Sequence, residues 1–313
     1  MSGDDNNGGL KKGFEKDIFD DFRKIENFKC MIDPFYFIEN YMIINEPSSG
    51  DVKFILYPYQ KKIIEGFYNY RDVILLCGRQ QGKTTCAAAY ILWKVVTALK
   101  EKKETILVTA NKLSQAQEIL ERIKYSYGLL PKWLVPGVIK NNERSMVFDN
   151  GSKILCRATT PDAGRGLSPT LVYIDEMAFI KKSIAAAFMT AIKPTLATGG
   201  KMFITSTPMN DEDEFAKIWN GATDKFDSNG NEIKNGIGSN GFYPLKFTFK
   251  DHPDRDPETN PKWEMSWRAS LGDARFRQEF LCVTGETKIN ILHNKNSQDV
   301  TIGELFNLLK ENQ

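Results

Sequence analysis

Residues 73–85 read Val73-Ile74-Leu75-Leu76-Cys77-Gly78-Arg79-Gln80-Gln81-Gly82-Lys83-Thr84-Thr85 and run into Cys86-Ala87-Ala88-Ala89. A continuous apolar run without polar alternation suits a strand buried on both faces. The Ala-rich stretch suits a helix that starts near Lys83. Between the two, glycines let backbone N–H groups turn toward an anion, and the helix N-terminus adds its partial positive charge. Lys83 can then reach the β- and γ-phosphates of a nucleotide, and the Thr84 hydroxyl can hold Mg²⁺. Gly78, Gly82 and Thr85 complete the candidate phosphate-binding set. The loop departs from G-x-x-x-x-G-K-[ST] at one place: Cys77 stands at the first glycine, and Gly78 follows it. A chance Gly-Lys-Thr turn is disfavoured because strand and helix signals flank the loop on the correct sides.

Three more short apolar runs have the same character: Thr105–Thr109, Leu171–Asp175 and Lys201–Thr205. Helical stretches separate them, at Lys83–Leu99, Ser114–Tyr127 and Lys182–Leu196. Strands alternating with helices imply an α/β protein with a mainly parallel sheet and crossover helices. Ser145–Ala158, centred on Asp149-Asn150-Gly151-Ser152, reads as an antiparallel hairpin added to it. Upstream, the aromatic-rich stretch from Phe14 to Met42 predicts helices packed on the main domain, and a helix follows Tyr57-Pro58. The Gly- and Asn-rich segment 221–241 predicts a long loop or small hairpin. Trp263, Trp267, Phe276 and Phe280 mark helical segments that close the domain near Leu281. Residues 1–12, with a Gly/Asn/Asp-rich start, are expected to form a disordered tail.

Composition narrows the chemistry. The 313 residues carry 42 Lys+Arg against 40 Asp+Glu, so no strongly basic coat for nucleic acid exists, although a local patch is allowed. Two histidines exclude His-rich metal catalysis, and five scattered cysteines without a C-x-x-C pair argue against a disulfide framework or structural zinc. No apolar run reaches the roughly 20 residues needed to cross a bilayer, and the polar N-terminus is unlike a signal peptide.

Two strand ends join the phosphate loop as candidates. Asp175-Glu176 closes a buried run about 90 residues after the loop. A carboxylate there can steady Mg²⁺, and its neighbour can orient and deprotonate an attacking water. Thr205-Ser206-Thr207 ends the next run on the ligand side of a parallel sheet; a polar exit from the strand would read the same. Tyr59-Gln60 precedes the loop, and a Gln side chain can pair with adenine while the ring packs on it.

These elements in this order resemble the ATPase half of the large terminase subunit of tailed bacteriophages, near the myovirus type, over roughly residues 50–281. The resemblance rests on LLCGRQQGKTT, TTPDAGRGLSPTLVYIDEMAFI, ITSTP and FRQEF. In that family the phosphate loop commonly lacks its first glycine and carries an arginine where Arg79 stands. The resemblance implies a P-loop NTPase fold of the RecA/ASCE type, with ATP and Mg²⁺ as cofactors. It implies phosphate binding by Gly82, Lys83 and Thr84, γ-phosphate sensing by Arg79, Mg²⁺ held by Asp175, and Glu176 as catalytic base. Thr205, Ser206 and Thr207 would couple hydrolysis to movement, and Tyr59-Gln60 would match the adenine element. Arg165 would be an arginine finger offered to a neighbouring subunit; a solvated loop arginine is the plainer alternative. The implied partners are viral double-stranded DNA, a procapsid portal, a small terminase subunit and further copies of the chain, in the host-cell cytoplasm and without a membrane.

From Cys282 the string Cys282-Val283-Thr284-Gly285-Glu286-Thr287-Lys288-Ile289 resembles the first block of an intein instead. That chemistry needs a thiol beside the Leu281 carbonyl, and an activated one, since a buried thiol is inert. The Thr-x-x-His block of inteins is absent, and Lys295 follows His293-Asn294 where a nucleophile is required. Residues 282–313 are therefore expected to be the N-terminal piece of a split intein, a short β segment after an ATPase domain of residues 13–281; a native strand of the terminase with a chance cysteine is the plainer alternative. It is expected to stay loose until a second chain, bearing the C-intein and the nuclease domain of the family, orders it. Two other classes compete for the whole. A helicase-like P-loop ATPase would need a second recombinase-like domain, for which residues 209–281 are short. A non-catalytic assembly protein would not need Glu176.

Overall fold

The computed structural model describes residues 7–226, 230–283, 288–293 and 296–301. Helices α1 (Asn7–Ile32) and α2 (Pro34–Tyr41) open the chain, with Asp33 capping α2 through the Phe35 N–H at 2.8 Å. A hairpin of β1 (Ile43–Glu46) and β2 (Gly50–Lys53) leads to α3 (Pro58–Asn69). Then β3 (Asp72–Cys77) and α4 (Lys83–Val96) alternate with β4 (Thr105–Ala110) and α5 (Leu113–Leu129). The strands β5 (Val138–Asn142), β6 (Ser145–Phe148) and β7 (Lys153–Ala158) precede β8 (Leu171–Asp175). After α6 (Lys182–Ile192) come β9 (Lys201–Ser206), α7 (Glu214–Thr223) and β10 (Tyr243–Phe247). Helices α8 (Pro261–Leu271) and α9 (Asp273–Phe276) run into a π-turn at Arg277–Leu281, and β11 (Lys288–His293) pairs with β12 (Asn296–Thr301).

Eight strands form one sheet in the order β10-β3-β9-β8-β4-β7-β6-β5. Six of them, β10 to β7, are parallel, and β6 and β5 turn back antiparallel. All four apolar runs read from the sequence are strands of its buried centre. Among the described residues no second parallel sheet forms. No described helix is long and apolar enough to cross a membrane.

The sheet is covered on both faces, which is why its central strands lack polar alternation. On one side α3, α4 and α5 pack with α1 and α2; Phe67 stacks on Phe203 at 4.3 Å between ring centres, with Tyr90 edge-on to both. On the other side Ile74, Ile174 and Ile204 meet Phe188 and Ile192 of α6 and Phe215 of α7. A third cluster of Phe249, Phe276 and Phe280, edged by Trp263 and Trp267, closes the C-terminal helices against the end of the sheet.

Three features differ from the sequence reading. Helix α1 begins at Asn7, inside the segment 1–12 expected to be a disordered tail, because once the turns around Phe14 exist each added residue gains a backbone bond. Residues 1–6 lie outside the described residues. The β1–β2 hairpin and strands β5 and β10 have no counterpart in the sequence reading. Strand β5 is a fully exposed edge strand, and β10 carries Pro244, which an edge position tolerates. The segment after Cys282 contains the β11–β12 hairpin, and Val300 is buried. That is more order than a loosely held piece implies; Thr284–Thr287, Asn294–Lys295 and residues 302–313 lie outside the described residues.

Candidate nucleotide site

Parallel pairing brings the functional strand ends to one edge. Strand β9 lies between β3 and β8, with Thr205 in register with Leu75 on one side and Asp175 on the other. The phosphate loop, Asp175-Glu176 and Thr205–Thr207 therefore meet, although they come from three distant segments.

Lys83 opens α4 and is buried; its ammonium lies 2.7 Å from Glu176 Oε1. Burial, the largest influence, would lower the lysine's pKa, but the Glu176 and Asp175 carboxylates outweigh it and hold it above the ordinary value. Asp175 lies deeper. Burial pushes its pKa up, and Lys83 opposes this. Its Oδ1 accepts from the Thr205 hydroxyl at 2.7 Å and from the Tyr173 hydroxyl at 2.9 Å, and its Oδ2 accepts from Thr84 Oγ1 at 3.3 Å.

Glu176 adopts a left-handed backbone, φ 49°, which a non-glycine residue takes only when its surroundings fix it. The restraints are visible. Its Oε2 accepts from the Thr207 N–H at 3.2 Å and from the Ser206 hydroxyl at 3.3 Å. The Ser206 hydroxyl oxygen in turn accepts from the Ala178 N–H at 3.1 Å. One carboxylate oxygen thus holds Lys83 while the other is tied to the end of β9.

The loop itself is braced from behind. Gly82 has φ 72°, a left-handed backbone that favours glycine, and a Cβ there would lie 2.7 Å from Gln60 Nε2, so the end of that side chain would have to shift. Tyr59 and Gln60 are buried with their polar groups turned on the loop, the Tyr59 hydroxyl donating to the Gln81 carbonyl at 2.8 Å. Gly78 donates to the Phe247 carbonyl, and a Cβ on it would press on the Phe280 carbonyl at 3.1 Å. Arg79 is 57% exposed; its N–H donates to the Glu279 carbonyl at 2.8 Å and its Nε lies 2.5 Å from Glu279 Oε2. Thr85 lines a cavity of about 500 Å³ beside the loop, together with Tyr57, Gln60, His252 and Arg255.

A family model for the N-terminal part of the terminase large subunit of T4-like virus type matches residues 74–299. The chain belongs to that family. Solved structures agree on the fold. A variant ATPase domain of the Thermus phage P74-26 large terminase superposes with a TM-score of 0.57 at 20% identity, covering 74% of this chain and 95% of that one. The HK97 bacteriophage large terminase gives 0.59 at 18%, covering 83% and 56%. The large terminase of a thermophilic bacteriophage in complex with ADP gives 0.52 at 12%, covering 77% and 56%. The chain thus spans about half of those two longer terminases and nearly all of the ATPase domain, and its fold is that of a P-loop NTPase.

Within this terminase fold the expected residues divide. Lys83, Thr84, Asp175, Glu176, Thr205, Ser206 and Thr207 converge; Tyr59, Gln60, Gly78, Gly82 and Thr85 frame the loop. Arg165 stands apart, 72% exposed and paired with Asp162 at 3.0 Å, in the loop after β7. Sequence reasoning missed Tyr173, although its place two residues before Asp175 puts it on the same strand face. It also missed Arg255, which lies far along the chain and carries no local signal, and it met Glu279 only inside FRQEF, with no role of its own.

Cys282 differs most from expectation. It is not an accessible, activated thiol: it is buried among Leu76, Ile74 and their neighbours, its Sγ is 3.6 Å from the Phe247 carbonyl oxygen, and burial pushes its pKa up to about 12. The reason is position. The π-turn ends with Cys282 at φ 56° and folds it under β10. The family match also continues past it to residue 299, so the family's limit does not mark a junction at Leu281. All five cysteines are buried and free. Ellman's reagent should therefore find almost no fast-reacting thiol in the folded protein at pH 8 and five after denaturation. A rapid single thiol that Cys282→Ala removes would contradict the buried placement.

Proposed function

We propose that the chain is the ATP-hydrolysing motor half of a viral DNA-packaging terminase, driving double-stranded DNA into a procapsid. The observation that carries this is the convergence of Lys83, Thr84, Asp175 and Glu176 on the end of β9. ATP would seat its β- and γ-phosphates at the N-terminus of α4, where Lys83 exchanges Glu176 for phosphate oxygens. Glu176 then keeps its bonds to Ser206 and Thr207 and turns its released oxygen to the attacking water as general base. Thr84 Oγ1 and Asp175 Oδ2 form an all-oxygen donor pair, which suits Mg²⁺, an ion that takes few protein ligands and completes its shell with water and phosphate. Bound there, Mg²⁺ would draw negative charge from the β- and γ-phosphate oxygens.

Arg79 would leave Glu279 to sense the γ-phosphate. The exposure of Arg165 in the loop after β7 supports service to a neighbouring copy, and so a homo-oligomer on the portal. The small terminase subunit and the portal are the remaining partners, with the motor acting transiently at the procapsid in the host-cell cytoplasm.

We also propose that Cys282 begins an N-terminal split-intein piece, on the strength of the Cys282–Thr287 string. Its first step balances without an oxidant: Sγ attacks the Leu281 carbonyl, the C–N bond breaks, and the thiol proton passes to the freed amine. The C-intein chain, carrying the nuclease, would have to lift Cys282 out of its burial first.

Lys83→Ala should reduce both ATP binding and turnover, whereas Glu176→Gln should still bind ATP and lose turnover by about 10²–10⁴ in a steady-state phosphate-release assay. Equal hydrolysis by wild type and Glu176→Gln would remove the assigned base. For the intein, mass spectrometry of the chain mixed with a candidate C-intein chain should show Leu281 ligated to the partner and residues 282–313 released. Ligation by Cys282→Ala, or an unchanged wild-type mass with every partner tested, would end that proposal.

A further inference from the structure

The phosphate loop is held by a residue from outside the recognised motifs. Arg255 follows β10 by eight residues, yet its guanidinium reaches back to the loop. Nη2 donates to the Gln80 carbonyl at 2.7 Å and Nη1 to the Arg79 carbonyl at 3.1 Å. The guanidinium carbon lies 5.3 Å from the ring centre of Trp263, which itself stacks on Phe249 in the third core cluster. The fork is therefore anchored on one side by a packed aromatic group and directed on the other at two consecutive peptides.

The consequence follows from peptide geometry. In a trans peptide the C=O and the next N–H point in opposite directions. Drawing the carbonyls of Arg79 and Gln80 toward Arg255 turns the N–H groups of Gln80 and Gln81 the other way. Among the described residues neither of those N–H groups has a backbone partner, whereas the N–H groups of Gly78 and Arg79 are satisfied at Phe247 and Glu279. Gln80 also sits at φ 55°, a left-handed conformation that is unfavourable for a non-glycine residue and needs an outside restraint. The bond from Arg255 to its carbonyl supplies one. Arg255 also lines the cavity beside the loop, and the buried side-chain nitrogen of Gln81, which lines it too, has no partner.

We propose that Arg255, seated on Trp263, is the positioning residue that sets the phosphate loop with its N–H groups aimed at the nucleotide's phosphates. This rests on the nucleotide-binding reading above and adds a residue to it. A planar, two-pronged donor is needed, because a lysine ammonium is a point charge that cannot hold two carbonyls in fixed directions. The role belongs to the phosphates rather than the base, so it should be felt equally by a ligand that has no base.

The test compares ATP and inorganic triphosphate binding by calorimetry in the full chain, wild type against Arg255→Ala, Arg255→Lys and Trp263→Phe, with melting curves recorded for each. Arg255→Ala should weaken both ligands about tenfold or more, Arg255→Lys should not restore them, and Trp263→Phe, which keeps a ring under the guanidinium, should bind within about threefold of wild type. A merely structural role would lower the melting temperature without this pattern and would be rescued by lysine. The inference is overturned if Arg255→Ala binds triphosphate like wild type, if only ATP is weakened, or if Arg255→Lys restores affinity. Wild-type protein that binds neither ligand would instead remove the nucleotide reading on which the inference rests.

Discussion

A buried lysine needs an anion, and in this fold Lys83 meets that need with Glu176 at 2.7 Å. Burying an ammonium beside a carboxylate is costly unless the geometry is good and the remaining oxygens are bonded. Much of the local structure meets those conditions. The left-handed turn at Glu176 aims one oxygen at Lys83, and the end of β9 binds the other through Thr207 and Ser206. Asp175, one residue earlier, is kept in place by Tyr173 and Thr205. In the proposed function the pair would also be ready for phosphate. Lys83 is held charged and in position by a partner that a polyanion can replace.

The second constraint acts behind the loop. Its backbone is tied to Phe247 through Gly78, to Glu279 through Arg79, and to Tyr59 through Gln81, with Arg255 on the outer carbonyls. These contacts come from both ends of the ATPase domain. Residues 57–60 press from one side and residues 247–281 from the other, so the C-terminal segment is part of the loop's support. The Cys282 thiol lies under the same β10 edge, in contact with the Phe247 carbonyl that also accepts from Gly78. Freeing Cys282 would break its contact with the carbonyl that also anchors Gly78.

The sequence made the centre of the molecule readable and its rim much less so. Buried parallel strands announce themselves as unbroken apolar runs, and the loop, Asp175-Glu176 and Thr205–Thr207 sit at their ends, so fold and candidate site emerged together. Edge strands have no such signature: β5 is exposed on every residue and β10 contains a proline. Contacts made over long sequence separations were equally hidden. Nothing near Arg255 says that it reaches Gln80, and nothing near Glu279 says that it faces Arg79. The character of Cys282 was misjudged for the same reason, since its burial is set by β10 and by the π-turn rather than by its neighbours in the chain.

The most direct measurement is a structure of the chain with Mg²⁺ and a non-hydrolysable ATP analogue. The expected result is Lys83 moved from Glu176 onto the β- and γ-phosphates, Glu176 still bonded to Ser206 and Thr207, and the metal between Thr84 and Asp175. An analogue bound elsewhere, or one bound at the loop with Lys83 still 2.7 Å from Glu176, would contradict the account of this site.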